Sequence, residues 1–373
     1  MKVIIVGSGL AGATAAAALN DAGADVRVIE QSPVWGGQLR TEHAGGIHYE
    51  PHGAHILHTT DRQVWDFVTD RVEMLPYRHR VMTEVDDRLL SWPPQVSELE
   101  QLPQWADIRR ELDRRPGTPR TTNFETWCED IMGTTLYSLF IRPYTIKQWG
   151  TDPRELAAQW APKRIELRVD GYRDLFRDPY QGWPRGGYLT LIDALLGGVP
   201  VEMGAAVDAE TFAERTRGAD AVVLTAPLDV FFRHALGELP WRGVRLESHF
   251  LPGADHVLPC GVVNHPGLDQ AYTRRIETKW MSGQTRAGTV VSYEYPGAPA
   301  RHYPVDDVDG RNRGLAHDYR ALVAEEFGPR VHLAGRLATY TYIDMDQAIR
   351  QGLNAAARIL KRADARYPTA GRP

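Results

Sequence analysis

Gly7-Ser8-Gly9-Leu10-Ala11-Gly12 stands directly behind the β-branched run Val3-Ile4-Ile5-Val6, and Glu30 follows about 20 residues further on. This spacing predicts a dinucleotide cradle. Gly7 permits the tight turn, Gly9 lets backbone approach a pyrophosphate, and Gly12 lets helix and strand pack closely. Amides at the start of the following helix face the phosphates, and Glu30 accepts from ribose hydroxyls while disfavouring a 2′-phosphate. Far downstream, Arg142-Pro143-Tyr144-Thr145-Ile146-Lys147-Gln148-Trp149-Gly150 gathers rings and cations in a few residues. Tyr144, Lys147 and Trp149 suit a second ligand that carries both rings and negative charge.

These groups need elements to hold them. The apolar strand, the alanine-rich stretch Ala11 to Leu19 and the strand Asp25 to Glu30 form a βαβ unit, which the loop Trp35-Gly36-Gly37-Gln38 ends. From Ser97 to Trp160 the pattern is helical and arginine-rich, without strand-like alternation. Residues 165 to 190 and 242 to 305 alternate and hold prolines, as a mixed or antiparallel sheet would. Ala221 to Thr225 and Val331 to Arg336 read as further buried strands, and a helix is expected from about Asp344 to Leu360. The fold class predicted is α/β: a Rossmann-type FAD-binding domain with an inserted helical domain and a mixed or antiparallel sheet domain. The nucleotide domain takes residues 1–76, 191–235 and 328–373, the helical insertion 95–162, and the sheet domain 77–94, 163–190 and 236–327.

Bulk properties exclude several classes. A chain of 373 residues exceeds one ordinary core. Its net charge of -5 gives no basic footprint, so no nucleic-acid partner is expected. Cys128 and Cys260 are the only cysteines, without a CxxC or a His/Cys cluster, so neither a disulfide framework nor a metal site is indicated. The opening apolar run is too short for a signal-peptide core, and nothing approaches the ~20 apolar residues of a membrane helix. A cytoplasmic protein without membrane contact is the expectation.

FAD is favoured over NAD. Gly36-Gly37 follows the acid at the spacing common in FAD-binding oxidases and mutases, and the late strand ending Gly335-Arg336 resembles that superfamily's second FAD contact. No second G-x-G-x-x-G follows a strand, so no dedicated NAD(P)H domain is expected.

Gly53-Ala54-His55-Ile56-Leu57-His58-Thr59, Tyr144 through Gly150, Lys163-Arg164-Ile165-Glu166-Leu167-Arg168, Tyr180-Gln181-Gly182-Trp183-Pro184, Tyr272-Thr273-Arg274-Arg275-Ile276-Glu277 and Gly335 through Asp346 together resemble the UDP-galactopyranose mutase family. The motifs span nearly the whole chain in the family's order. The resemblance implies interconversion of UDP-galactopyranose and UDP-galactofuranose, or a close analogue. In the family, reduced flavin N5 attacks the anomeric carbon, UDP leaves, and the ring recloses through another hydroxyl with no net redox change. It further implies FAD that is active when reduced, an external electron donor, and a UDP- or dTDP-hexose as partner; a homodimer is left open.

The resemblance assigns catalytic roles to Arg168, Arg274 and His55. Arg168 and Arg274 would hold the diphosphate, where arginine offers paired planar donors. Phe140, Tyr144, Trp149, Tyr180, Asn264, Tyr303 and Tyr342 would bind substrate, with core packing as the alternative for each tyrosine. Gly7, Gly9, Leu10, Ala11, Gly12, Glu30, Gln31, Gly37, Gln38, Gly53, His55, Ile56, Gly335, Arg336, Tyr342, Asp344 and Met345 would bind the cofactor. Asp344 divides evenly between helix capping and the site, and His58 is a weaker candidate. The stretch from Trp160 to Gly187 is a candidate lid. Departures from the family pattern are Glu50-Pro51-His52, Pro93-Pro94-Gln95, Ile141, Asp174-Leu175-Phe176 and His265; they flank the sugar and base pockets, so galactose, a 6-deoxy or otherwise altered hexose, and a thymidine nucleotide all stay open. The competing class is an FAD oxidoreductase of the amine-oxidase type, which shares the cradle but does not require the arginine and tyrosine set.

Overall fold

The computed structural model describes residues 1–159 and 161–366. Trp160, at the head of the expected lid, and residues 367–373 of the expected nucleotide domain lie outside the described residues.

A five-stranded, all-parallel sheet has the order Val201–Glu202, Asp25–Ile29, Lys2–Val6, Ala221–Leu224, Val331–Leu333. Lys2–Val6 (β1) is central, which fits its unbroken apolar character. Helix α1, Leu10–Asp21, is buried along most of its length, and its alanines let neighbours come close. The final helix, Met345–Arg366, crosses it so tightly that a Cβ on Gly352 would lie 2.5 Å from the Ala11 carbonyl. This crossing carries the starts of both helices to one place, for Leu10 and Met345 border the same cavity.

The chain from Val96 to Trp149 is a succession of helices around its own apolar cluster, which includes Phe124, Tyr137 and Phe140. A π-helical turn, Tyr137–Ile141, runs directly into the helix Arg142–Trp149. Such turns often mark functional positions, and this one sets Phe140 against Trp92 with ring centres 6.2 Å apart.

A six-stranded sheet runs Trp241–Leu251, Thr289–Pro304, Arg274–Ile276, Val262–Asn264, Val81–Val85, Arg88–Trp92. It is antiparallel except where Val262–Asn264 pairs with Val81–Val85. Asp86 and Asp87, at φ 49° and 58°, supply the left-handed turn that closes its edge hairpin. Residues 165 to 190 differ from expectation. Their one strand, Tyr180–Pro184, pairs with Leu57–Thr59 and Met74–Pro76 in a separate three-stranded sheet. The fold is thus α/β with a Rossmann-type parallel sheet beside a mixed sheet.

Candidate active site

A cavity of about 530 Å³ runs from the cradle to the helical layer and the six-stranded sheet. Every residue expected to hold the cofactor borders it. The glycines explain the cradle end. Gly7 has φ +99°, and a Cβ on Gly12 would fall 2.1 Å from the Gly7 carbonyl. A Cβ on Gly9 would meet nothing within 4 Å, so this backbone faces open space of the kind a pyrophosphate needs. Gly9 caps α1 without a side-chain bond, leaving first-turn amides for an anion. The Glu30 carboxylate accepts from the Ser8 amide at 2.8 Å, the Ser8 hydroxyl at 2.6 Å and the Ser32 amide at 2.8 Å. These bonds fix its aim, with one of its about four acceptor positions still available. These features fit a dinucleotide; among the described residues no group of three or more His, Cys, Asp or Glu is placed to hold a metal ion.

Further along, Gly335 (φ +86°) lies against Ala11, and its amide donates to Gln351 Oε1 at 2.7 Å. Arg336 donates to the His302 and Ile343 carbonyls, with its guanidinium 5.2 Å from the Tyr342 ring centre and 5.8 Å from that of Tyr303. Here Arg336 ties the sheet to the start of the final helix. His55 Nδ1 meets Glu50 Oε2 at 2.7 Å, and Glu50 is itself buried. Burial pushes the Glu50 carboxyl up, and the neighbouring His55 opposes that rise. Glu50, one of the departures from the family pattern, is therefore the group that orients His55.

At the far end Phe140, Tyr144, Trp149, Asn264, Arg274, Tyr303 and Tyr342 all border the cavity. Trp149, Tyr303 and Tyr342 form a row, with ring centres 6.1 and 5.7 Å apart. Arg274 Nη2 donates to Glu294 Oε2 at 2.6 Å, and Glu294 is 1% exposed. Tyr144 is pushed up to about 12, chiefly by burial, so its hydroxyl stays a donor at neutral pH.

Three expected participants stand elsewhere. Arg168 does not border this cavity. It is buried, and its Nε donates to Glu166 while Nη1 and Nη2 donate to the carbonyls of Tyr172, Asp174 and Leu175. Its charge is spent on its own loop. Tyr180 begins the buried strand of the three-stranded sheet and stacks on Trp65 at 5.6 Å. Lys147 turns away, and its Nζ donates to the carbonyls of His265, Gly267 and Gln270. Within the expected lid, Gly182 and Trp183 are locked between two strands, whereas Val169 is exposed beside the buried Arg168.

Of the departures, His52, Ile141, Leu175 and Phe176 border the cavity, whereas Gln95, Asp174 and His265 do not. Gln95 braces the turn at Gly171 and Tyr172, Asp174 pairs with Arg80, and His265 accepts from Arg275. The sequence reading gave no roles to Arg164, His79, Glu294 or His302, all of which border the cavity. His302 Nδ1 accepts from the Val244 amide at 3.2 Å, which fixes the proton on Nε2. Burial lowers its pKa to about 4 and that of His79 to about 3. No motif spacing announces such residues. Alternation along Thr289–Pro304 was the available signal for Glu294 and His302, since both lie on a strand reaching the core.

The UDP-galactopyranose mutase family profile matches residues 139–342, the interval holding all the expected substrate-binding residues. The chain belongs to that family. An NAD(P)-binding Rossmann-like profile matches residues 5–71. A Klebsiella pneumoniae protein described as "Probable UDP-galactopyranose mutase" is 29% identical over 96% of this chain and 94% of its own length. The dTDP-fucopyranose mutase of Escherichia coli is also 29% identical, over 96% and 98%. A crystal structure of reduced UDP-galactopyranose mutase superposes with a TM-score of 0.80 at 17% identity, covering 97% of this chain and 96% of that one. Putrescine oxidase bound to putrescine gives 0.62 at 15%, covering 97% and 100%. Fold is therefore shared with amine oxidases, and the family assignment comes from the substrate half of the chain. The chain is a mutase, an isomerase by class. No helix among the described residues is long and apolar enough to cross a membrane.

Proposed function

We propose that this chain interconverts the pyranose and furanose forms of a UDP- or dTDP-linked hexose, with FAD as its resident cofactor. The observation that carries the reading is one cavity joining a dinucleotide cradle to Trp149, Arg274, Tyr303 and Tyr342. Reduced flavin supplies, when bound, a nucleophilic ring nitrogen without net redox change. The cradle glycines, Glu30 and the α1 amides hold the adenosine diphosphate part, while Gly335, Arg336 and Met345 receive the ring system. Arg274 is kept charged by Glu294 and stands ready for the diphosphate that departs from the sugar. Trp149 offers a flat apolar face to the sugar or base, and the Tyr144 hydroxyl donates to oxygen. Arg168 takes part only by giving up its bonds to Glu166 and to the 172–175 carbonyls, a rearrangement of that turn.

An external electron donor, a cytoplasmic setting and the three-part division of the chain given by the sequence belong to the same reading. The relatives act on a uridine-linked galactose and a thymidine-linked fucose by their names, at equal identity to this chain. The test is product analysis: dithionite-reduced protein with a panel of UDP- and dTDP-hexopyranoses should yield furanose isomers by chromatography and NMR. Steady consumption of oxidant, with no furanose from any member of the panel, would point to an oxidase instead.

A further inference from the structure

Arg164 borders the main cavity and also an adjoining recess of about 310 Å³; the two share His58, Leu175, Phe176 and Asp344, and Arg168 lines only the recess. Its guanidinium lies 5.8 Å from the Phe176 ring centre and 5.9 Å from that of Tyr342. Its Nη2 donates to Asp344 Oδ1, across 180 positions of sequence. Both side chains are largely withdrawn from solvent, Arg164 at 23% exposed and Asp344 at 16%. A guanidinium in such a place needs a counter-anion, and the Asp344 carboxylate supplies it.

The other cations at this end are differently committed. Arg168 gives its donors to its own loop, and Arg336 gives two to backbone carbonyls. Arg274 is bound to Glu294, which is buried and held from its other oxygen by the Thr273 hydroxyl. Asp344 differs from Glu294. It directly precedes Met345, the first residue of the final helix, whose partial positive charge can accommodate a released carboxylate.

We propose that Arg164 is a diphosphate-binding residue, and that Asp344 occupies its guanidinium until a nucleotide sugar arrives and competes for it. The proposal rests on the nucleotide-sugar reading above. A diphosphate presents more anionic oxygens than a carboxylate to the same planar donors, so it wins the exchange. Bases and sugars lacking phosphate cannot. Arg164 therefore acts together with Arg274, and empty enzyme keeps neither charge unpaired.

Calorimetric titration of the flavin-loaded protein with UDP and with uridine tests this. Arg164→Ala should weaken UDP binding by about 10- to 100-fold, the range of one charge-assisted bond, with uridine affinity unchanged within about twofold. Asp344→Asn should tighten UDP several-fold and leave uridine alone, a gain that a merely structural ion pair does not give. The proposal is overturned if Arg164→Ala retains the wild-type ratio of UDP to uridine affinity, or if Asp344→Asn weakens UDP or leaves it unchanged. Should Arg164→Ala lose flavin or fail to fold, Asp344→Asn decides alone, since it keeps the arginine. Wild-type protein that binds UDP no better than uridine would instead refute the nucleotide-sugar reading.

Discussion

Arg274→Met separates catalysis from stability most sharply. The arginine is the charge partner of Glu294, which is 1% exposed and otherwise accepts from the Thr273 hydroxyl at 3.1 Å. Removing the arginine leaves a buried carboxylate with one neutral donor, and breaking such a pair costs about 3–5 kcal/mol. With an unfolding entropy of about 2.1 cal/mol/K per residue over the whole chain, that cost lowers Tm by about 4–6 °C. Turnover should fall separately, by about 10²–10³-fold, the effect of losing one preorganised donor to developing charge. The double variant Arg274→Met with Glu294→Gln removes the stranded charge, so differential scanning calorimetry should show most of the Tm recovered. Initial rates of furanose formation should stay low. If the double variant regains activity along with stability, Arg274 serves Glu294 and not the diphosphate, and its assignment to the substrate falls.

The cradle predicts a contrast between two glycines. Gly9→Ala should leave the Tm of flavin-free protein unchanged but lower bound flavin per chain, because its Cβ enters only open space; Gly12→Ala should lower both, because its Cβ meets the Gly7 carbonyl at 2.1 Å. Acid should destabilise the fold through its buried neutral histidines. With folded pKa values near 3 for His79 and 4 for His302 against 6.5 unfolded, their stabilisation is complete above about pH 6.5 and is lost as pH falls toward those values. Each contributes a slope of about 1.4 kcal/mol per pH unit inside that window, so His302→Phe should flatten the pH dependence of urea unfolding below pH 6.5; an unaltered slope would show that His302 is not buried neutral. Lys147→Met releases the carbonyls of His265, Gly267 and Gln270. Tm should drop a few degrees, and kcat/KM should fall far less than in Arg274→Met; an equal fall would place the ammonium on the substrate.

Local patterns carried much of the architecture. A glycine spacing behind an apolar strand is a short-range signal, since Gly7 and Gly12 touch each other and need no distant partner to show their purpose. The same holds for β1, α1, the strand Asp25–Ile29 and the final helix, all close to where periodicity placed them. Residues 165 to 190 were harder, because their strand Tyr180–Pro184 is short and its partners begin more than a hundred positions earlier, at Leu57 and Met74.

By itself the sequence determined that a dinucleotide cradle opens this chain and that rings and arginines gather downstream, because glycine's freedom and side-chain type are properties of single residues. Only the tertiary structure decided which charges face the cavity. Lys147, Arg168 and Arg274 look alike along the chain, yet three loop carbonyls take the first, its own turn takes the second, and a buried Glu294 leaves the third beside the substrate space. The role of a cation is set by what packs against it, and those partners lie far away in sequence.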